Sequence, residues 1–418
     1  MEKRKILGVS PTVFKLGIVS FLTDISSEML VPIVPLFLKF VLGASGQVIG
    51  LIEGAAESIA QLLRVWSGYL ADRFRRPKLL ATIGYGLSAA TKPFLVFANA
   101  WPQVFGVKFA DRFGKGIRSA PRDLLIADAT DEASRGRAFG LHRCMDTLGA
   151  MIGPLVVLAL VWFFFGKGFL TTPGKEHAGV YKLIFIAAAV PAVLGWLVLT
   201  LTVPECGRCK PDGKKPELHL SAFDSRFKVF LVILAVFAVG NSSDTFLILR
   251  ATSEPINMNL SSFLLVYIAF NAFSSIIALK SGVLSDKVGR KPIILGGWLV
   301  FCASYLGMAL SSTPVGIWFW FVLYGAYSGM TEGMLRAYAV DLAPSHLRGT
   351  AIGAFYTVNG LALLPASIIA GFLWDKVGHA APFYYGAATA LVAAVLFIVC
   401  VRPRRKNSVS AEDGKEEV

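Results

Sequence analysis

The chain has 418 residues, of which 55 % are hydrophobic and only 16 % charged, with a mean hydropathy of +0.62. A soluble protein carries roughly 25 % charged residues, and a water-facing surface built from this composition would be one extended apolar patch, which a bilayer solvates instead. The net charge of +14 does not point to nucleic acid, because the Lys and Arg sit mainly in short segments between apolar runs, the pattern that orients membrane helices.

The first apolar run covers Val13 to Phe40 and follows Lys3, Arg4 and Lys5. No short apolar core with a small-residue cleavage site precedes it, so it reads as a spanning helix and not as a cleaved signal. A spanning helix needs about 20 apolar residues. Runs of that kind centre near Val31, Ile59, Ala89, Gly116, Pro154 and Val190, and then near Ala235, Ala269, Val300, Gly325, Leu361 and Val392. The expected fold class is therefore an all-α membrane protein with twelve transmembrane helices.

The predicted loops are short and asymmetric. Arg73, Arg75, Arg76, Lys78, Arg135, Arg137, Lys287, Arg290, Lys291, Arg348 and the tail Arg402 to Lys406 fall on one side. Lys167, Lys175, Lys182 and Lys376 fall on the other. The positive-inside rule then places both termini in the cytoplasm, in agreement with an even number of spans. The longest polar interruption, Pro204 to Lys228, reads as a linker between two halves. The expected units are an N-terminal six-helix bundle over 1–203, a cytoplasmic linker over 204–225, a C-terminal bundle over 226–402 and a disordered tail over 403–418.

The halves repeat one another. Gly68 to Arg73 recurs as Gly282 to Lys287. Asp128 followed by Arg135, Gly136 and Gly140 recurs as Asp341 followed by Arg348, Gly349 and Gly353. Ser26, Ser27 and Glu28 recur as Ser242, Ser243 and Asp244. Pseudo-symmetric six-helix bundles imply a site between the halves near the membrane midplane.

Ionisable residues inside the spans are the main functional signal, because they are costly in hydrocarbon and face a bundle interior or a wet cavity. The first predicted helix carries Asp24 and Glu28, and the second carries Glu53, Glu57, Gln61 and Arg64 on one stripe. The fourth carries Lys108, Asp111, Arg112, Lys115, Arg118, Arg122 and Asp123, within roughly 140° of arc at helical spacing. The fifth carries His142, Arg143 and Asp146. The second half is sparser, with Asn241, Asp244, Arg250, Glu332, Arg336 and Asn359. Two readings stand together. The charges pair among themselves, and some of them form a substrate and proton site whose pairs exchange as the protein rocks. The asymmetry suggests that the first half carries the proton or ion chemistry and the second shapes the pocket.

These motifs resemble the major facilitator superfamily over essentially the whole membrane portion. Gly68, Leu70, Ala71, Asp72, Arg73 and Arg76 match the family's loop motif after the second helix, with Arg75 in place of its Gly. In the second copy Gly282, Leu284, Asp286, Gly289, Arg290 and Lys291 match. The resemblance implies that Gly68, Asp72, Arg73, Arg76, Gly282, Asp286, Gly289 and Arg290 form a cytoplasmic gate. There a small Gly would let helices approach, a carboxylate would cap a facing helix, and Arg would form ion pairs. Arg112, Lys115 and Gly116 look like the family's Arg-x-x-Gln-Gly pattern tied to proton coupling, with Lys for Gln. Gly149, Gly153 and Pro154 look like the start of its antiporter motif, although Val157 and Leu158 replace the closing glycines.

The resemblance implies a secondary transporter working by alternating access, in one of three forms. The antiporter-like segment favours proton-coupled efflux of an amphipathic, drug-like solute. The basic fourth helix would instead suit an anion held by Arg112, Lys115, Arg118 or Arg122. A third form gives Asp24, Glu28 and Asp146 a cation. A membrane-embedded enzyme using His142 and Asp146 lacks a nucleophile motif beside them and would leave the repeated gate motifs without a purpose, and a non-transporting receptor on the same fold is the other alternative. Cys206 and Cys209, with His219, lack a second Cys pair for a structural zinc site. No cofactor, metal or phosphate loop is expected, and the chain is expected to act as a monomer in a bacterial inner membrane.

Overall fold

The computed structural model describes residues 6, 8–74, 76–131, 134–165, 175, 178–205, 223–344 and 347–401. Within them, twelve helical segments of spanning length succeed one another: α1 (Pro11–Val41), α2 (Gly46–Phe74), α3 (Pro77–Phe97), α4 (Trp101–Asp128), α5 (Arg135–Phe165) and α6 (Ala178–Thr202). Then come α7 (Ser225–Thr252), α8 (Leu260–Val288), α9 (Arg290–Leu310), α10 (Pro314–Asp341), α11 (Arg348–Lys376) and α12 (Ala381–Cys400). Nine of these described helices are apolar enough to cross a membrane on composition alone, and α2, α4 and α10 are not. Their polar residues are what the neighbouring helices enclose.

Local sequence starts and stops these helices. The side chains of Ser10, Asp224, Asn259 and Thr313 accept from the backbone N–H three residues on, satisfying donors that a helix start leaves open. Proline opens α3 at Pro77, where its missing N–H costs nothing. Gly289 alone separates α8 from α9 at φ 85°, a backbone conformation that favours glycine.

Helix neighbours repeat with an offset of six. In the first half α1 packs on α5 and α6, α4 on α2 and α3, and α3 on α6. In the second α7 packs on α11 and α12, α10 on α8 and α9, and α9 on α12. Across the halves α2 meets α11 and α5 meets α8, again a pair related by the same exchange. The duplicated motifs thus became duplicated packing. Large apolar side chains such as Phe163, Leu201, Leu279 and Val315 stay on the outer surface, 81 %, 79 %, 77 % and 78 % exposed, where acyl chains can cover them.

Two helices break near corresponding places, the α1 break falling about one helical turn further along the repeat than the α7 break. α1 interrupts at Val31 and Pro32 and then loosens to a π-type turn over Phe37–Val41. α7 interrupts over Asn241 to Asp244 before resuming as Thr245–Thr252. Interrupted segments at matching positions of two halves mark the binding region in transporters of this build.

The first and last described residues, with the α2–α3, α8–α9 and α10–α11 turns, lie at one end of the bundle, termed the terminal face. There Lys291 Nζ donates to Val401 O, and Lys15 and Lys78 donate to the α6 carbonyls of Thr202 and Thr200 at 3.0 Å each. At the opposite, distal face the halves are clamped. Asp375 of α11 accepts from the N–H groups of Gly46 and Gln47 at the start of α2, at 2.8 and 2.9 Å. Gly50 and Gly54 let α2 lie against the α11 backbone around Leu364 and Ser367. Most of the linker over 204–225, and the tail over 403–418 with Arg402, lie outside the described residues.

Candidate functional site

A cavity of about 440 Å³ lies between the halves beside both breaks. Its first-half wall carries Glu28, Glu53, Glu57, Arg64, Lys108 and Arg112. Its second-half wall carries Asn241, Asp244, Glu332, Arg336 and Asn359 with Tyr267, Tyr324, Tyr327 and Tyr356. A second space of about 670 Å³ shares Arg64, Arg336 and Tyr356 with it and runs past Asp123, Arg290 and Gly349 toward the terminal face. The central cavity is therefore reached from the terminal face and sealed at the distal one.

The bases on the first-half wall are committed. Lys108 of α4 pairs with Glu53 of α2. Arg112, one turn on, lies 3.6 Å from Glu57 Oε2, and Gln61 donates to Glu57 at 3.4 Å. Helical spacing sets both pairs. Residues 53 and 57 on α2 face 108 and 112 on α4, so the two stripes read from the sequence are a ladder. Arg64 lies with its guanidinium carbon 4.7 Å from the Tyr356 ring centre. Arg336 donates to the Tyr356 hydroxyl at 3.2 Å, and Glu332 lies 3.7 Å from Arg143 of the opposite half.

Two carboxylates differ. Glu28, just before the α1 break, accepts from the Tyr267 hydroxyl at 2.8 Å. Asp244, in the α7 break, accepts from the Tyr324 hydroxyl at 2.6 Å. Among the described residues neither has a basic group within ion-pairing distance. They are the residues that the internal repeat matches to each other, and each is held by a second-half tyrosine. The cavity thus draws its carboxylates from both halves, including Asp244 and Glu332 of the half expected mostly to shape the pocket.

The other candidates lie inside the first half, off the cavity wall. Arg118 is 6 % exposed and stacks on Tyr85 of α3 at 4.3 Å. Arg122 pairs with its neighbour Asp123 at 2.9 Å and donates to Ser20 at 3.1 Å. His142 lies 3.4 Å from Asp146, one turn away, with its Nε2 buried and without a partner among the described residues. Asp24 and Lys115 sit within electrostatic range of each other, and Asp146 lies near Asp24. Gly149 and Gly153 press α5 against α1, since an added Cβ would lie 2.7 Å from Phe21 O and 2.8 Å from Ile25 O. The antiporter-like segment therefore packs directly behind Asp24 and Glu28.

Among the residues expected to form a gate, Arg290 pairs with Asp341 at 2.6 Å within the second half. Gly282 faces open space, so no helix uses its smallness here. Arg76 is exposed ahead of α3. The side chains of Gly68, Asp72, Arg73 and Asp286 are outside the described set, as are Cys206, Cys209, His219 and Arg75. Sequence reasoning did not single out the four cavity tyrosines or Lys92. Tyrosines in apolar runs read as interface anchors, but their spacing at 324 and 327 on a helix too polar to span by composition was a usable signal.

The sequence model of the Major Facilitator Superfamily matches residues 16–367 and 257–418. An uncharacterised transporter of that type from Methanocaldococcus jannaschii is 33 % identical over 396 residues, 93 % of this chain and 95 % of the relative. Quinolone resistance protein NorA of Staphylococcus aureus is 26 % identical over 184 residues, 44 % of this chain and 46 % of NorA. Among solved structures, the nucleoside transporter NupG superposes with a TM-score of 0.73 at 16 % identity, covering 93 % of this chain and 98 % of NupG. A POT family transporter in complex with 5-aminolevulinic acid superposes with a TM-score of 0.77 at 13 % identity, covering 95 % and 97 %. The matched motifs, the duplicated packing and these likenesses agree: the chain is a multi-pass membrane protein that belongs to the major facilitator superfamily.

Proposed function

We propose that the protein is a secondary transporter that exports a small amphipathic solute bearing a basic group, in exchange for protons, by alternating access through the central cavity. The observation that carries this reading is the pair Glu28 and Asp244. Among the described residues, each is a cavity carboxylate with a tyrosine donor and no basic partner, Glu28 half-buried and Asp244 exposed to the cavity, so each is available to a proton or to a cationic group. Nearby, Lys108 and Arg112 are already neutralised by Glu53 and Glu57. An amphipathic solute finds both carboxylates and aromatic faces on the second-half wall. The partial likeness to NorA supports testing a quinolone first. The chain is taken to work as a monomer in a bacterial plasma membrane with both termini cytoplasmic, so that the space open at the terminal face admits solute from the cytoplasm.

The anion reading rests on the 3.6 Å Arg112–Glu57 pair, long enough for a carboxylate or phosphate ester to displace Glu57. Lys115, Arg118 and Arg122, offered for the same role, do not line the cavity. Flux separates the readings, and also separates transport from membrane enzymology or receptor function. Purified protein in proteoliposomes with an imposed pH gradient is given a labelled quinolone, ethidium and labelled benzoate. Movement of the first two against the proton gradient, abolished in Glu28→Gln and Asp244→Asn, supports the proposal. Movement of benzoate alone, abolished in Arg112→Gln, supports the anion form. Flux of none of them, with folded protein, removes the export reading for this class of solute.

A further inference from the structure

Lys92 is 1 % exposed and sits where α3 tightens into a 3-10 turn over Lys92–Phe97. It does not line the central cavity, and nothing in the transport reading above uses it. A buried ammonium is retained only where its surroundings compensate it. Here Nζ donates to Ser26 Oγ at 2.7 Å and Ser27 Oγ at 3.1 Å, both neutral. No carboxylate lies within ion-pairing distance of it among the described residues. The Ser26 hydroxyl passes the contact on, donating to Ala188 O of α6 at 2.5 Å. Lys92 therefore ties α3 to α1, and Ser26 ties α1 to α6, at the residue pair that immediately precedes Glu28.

The charges around it come from two helices. On α1 they are Asp24 and Glu28, and on α4 they are Asp111, Arg112 and Arg118. α6 meets Ser26 through the Ala188 carbonyl. A small chamber of about 30 Å³ bounded by Ser27, Lys92, Asp111 and Arg112 lies against this group. It shares Val31, Lys108 and Arg112 with the central cavity, so it is a side room of the same interior, with space for about one water.

We propose that Lys92 is a positioning residue for proton coupling: it fixes the Ser26–Ser27 turn so that Glu28 meets Tyr267, and its charge offsets the one that Glu28 gains on releasing a proton. The inference rests on the transport reading above. Lys115 and Arg112 also act on Glu28; without the ammonium, the Ser26–Ser27 turn loses its anchor and Glu28 loses one part of the positive field behind it, and the proton and solute steps separate. The solute path itself is untouched, because Lys92 is not part of the cavity wall.

The test uses the full chain in proteoliposomes and a labelled quinolone in two modes. One is accumulation driven by a pH gradient. The other is counterflow, in which labelled and unlabelled solute exchange with no net proton movement. Lys92→Met lowers gradient-driven transport by about tenfold or more, the scale of a typical coupling free energy, and leaves counterflow within about twofold. Ser27→Ala, which keeps the charge and removes one acceptor, lowers gradient-driven transport less. Unchanged gradient-driven transport in Lys92→Met overturns the proposal, and so does equal loss of both modes in folded protein, which marks a purely structural lysine. If Lys92→Met does not fold by gel filtration, Lys92→Gln carries the same two outcomes. Ser27→Ala losing both modes equally would also overturn it. A wild-type protein that exchanges the quinolone but ignores the pH gradient defeats the proton-exchange reading itself, and with it the inference.

Discussion

Asp375 holds the distal face shut from the opposite half, and its loss has a calculable effect. Its two oxygens accept from Gly46 N at 2.8 Å and Gln47 N at 2.9 Å, two of the donors that a helix start leaves without partners. The carboxylate also faces the positive end of α2. Because α2 and α11 belong to different halves, this contact exists only while the distal face is closed. Asp375 is exposed, so water competes for it. The low end of the capping and dipole scales then applies, about 1 kcal/mol for Asp375→Ala. That energy corresponds to about a fivefold rise in the ratio of distal-open to distal-closed molecules. Spin labels at Gly43 and Val377, one in each half and both exposed beside the contact, report that ratio by double electron–electron resonance. The longer-distance population should grow about fivefold over wild type, and Asp375→Asn should fall between the two. Identical distance distributions in wild type and Asp375→Ala would refute the reasoning.

Four further substitutions separate the cavity from its supports. Arg118→Met loses the stacking on Tyr85, worth about 0.5–2 kcal/mol, and should lower the melting temperature without changing the KM for transport, whereas Arg112→Met should change KM. An altered KM in Arg118→Met would place that residue in the solute path after all. Arg250 donates to the carbonyls of Met308, Ala309 and Ser311 at 3.2, 3.3 and 2.8 Å, closing the end of α9. Arg250→Met should therefore cost about 1–3 kcal/mol of stability and leave transport per folded molecule intact, as measured by thermal shift and flux together. Gly153→Leu drives a side chain into Ile25 O and Glu28; overpacking of about 1–3 kcal/mol should appear as a lower melting temperature, and an unchanged one would mean that α1 and α5 separate freely.

Much of this architecture was readable from the chain. Nine of the described helices are apolar enough to be read as spans, the more polar α2, α4 and α10 fall between them, and matched motifs such as Glu28 with Asp244 anticipated the duplicated packing. The Glu53 and Glu57 stripe on α2 and the Lys108 and Arg112 stripe on α4 met as acid–base pairs, as charge balance in a low-dielectric interior requires. What spacing could not resolve was which neighbour each part of a stripe faces. An arc of roughly 140° is wide enough to serve two interfaces, and α4 turns Arg112 to the cavity and Arg118 to α3. Arg250 looked like a candidate on the seventh helix, but it caps carbonyls of α9, a contact between residues 58 to 61 positions apart in the chain. Lys92 escaped notice because a single lysine beside Pro93 resembles the end of a span, and only tertiary packing buries it. Gly282 matched a gate motif yet faces open space, since the halves are parted at the terminal face in this conformation.

The claim that solute crosses by opening the distal contact is tested most directly with a reversible lock across it. A Cβ built at Gly54 lies 2.9 Å from the Ser367 Cβ, nearer than the roughly 3.8 Å that a disulfide adopts, so Gly54→Cys with Ser367→Cys joins α2 to α11 once the two helices move apart by about 1 Å. In a background with the five native cysteines replaced, oxidation should stop quinolone flux and reduction should restore it. Flux that continues undiminished through the oxidised, cross-linked protein would contradict alternating access by these two halves.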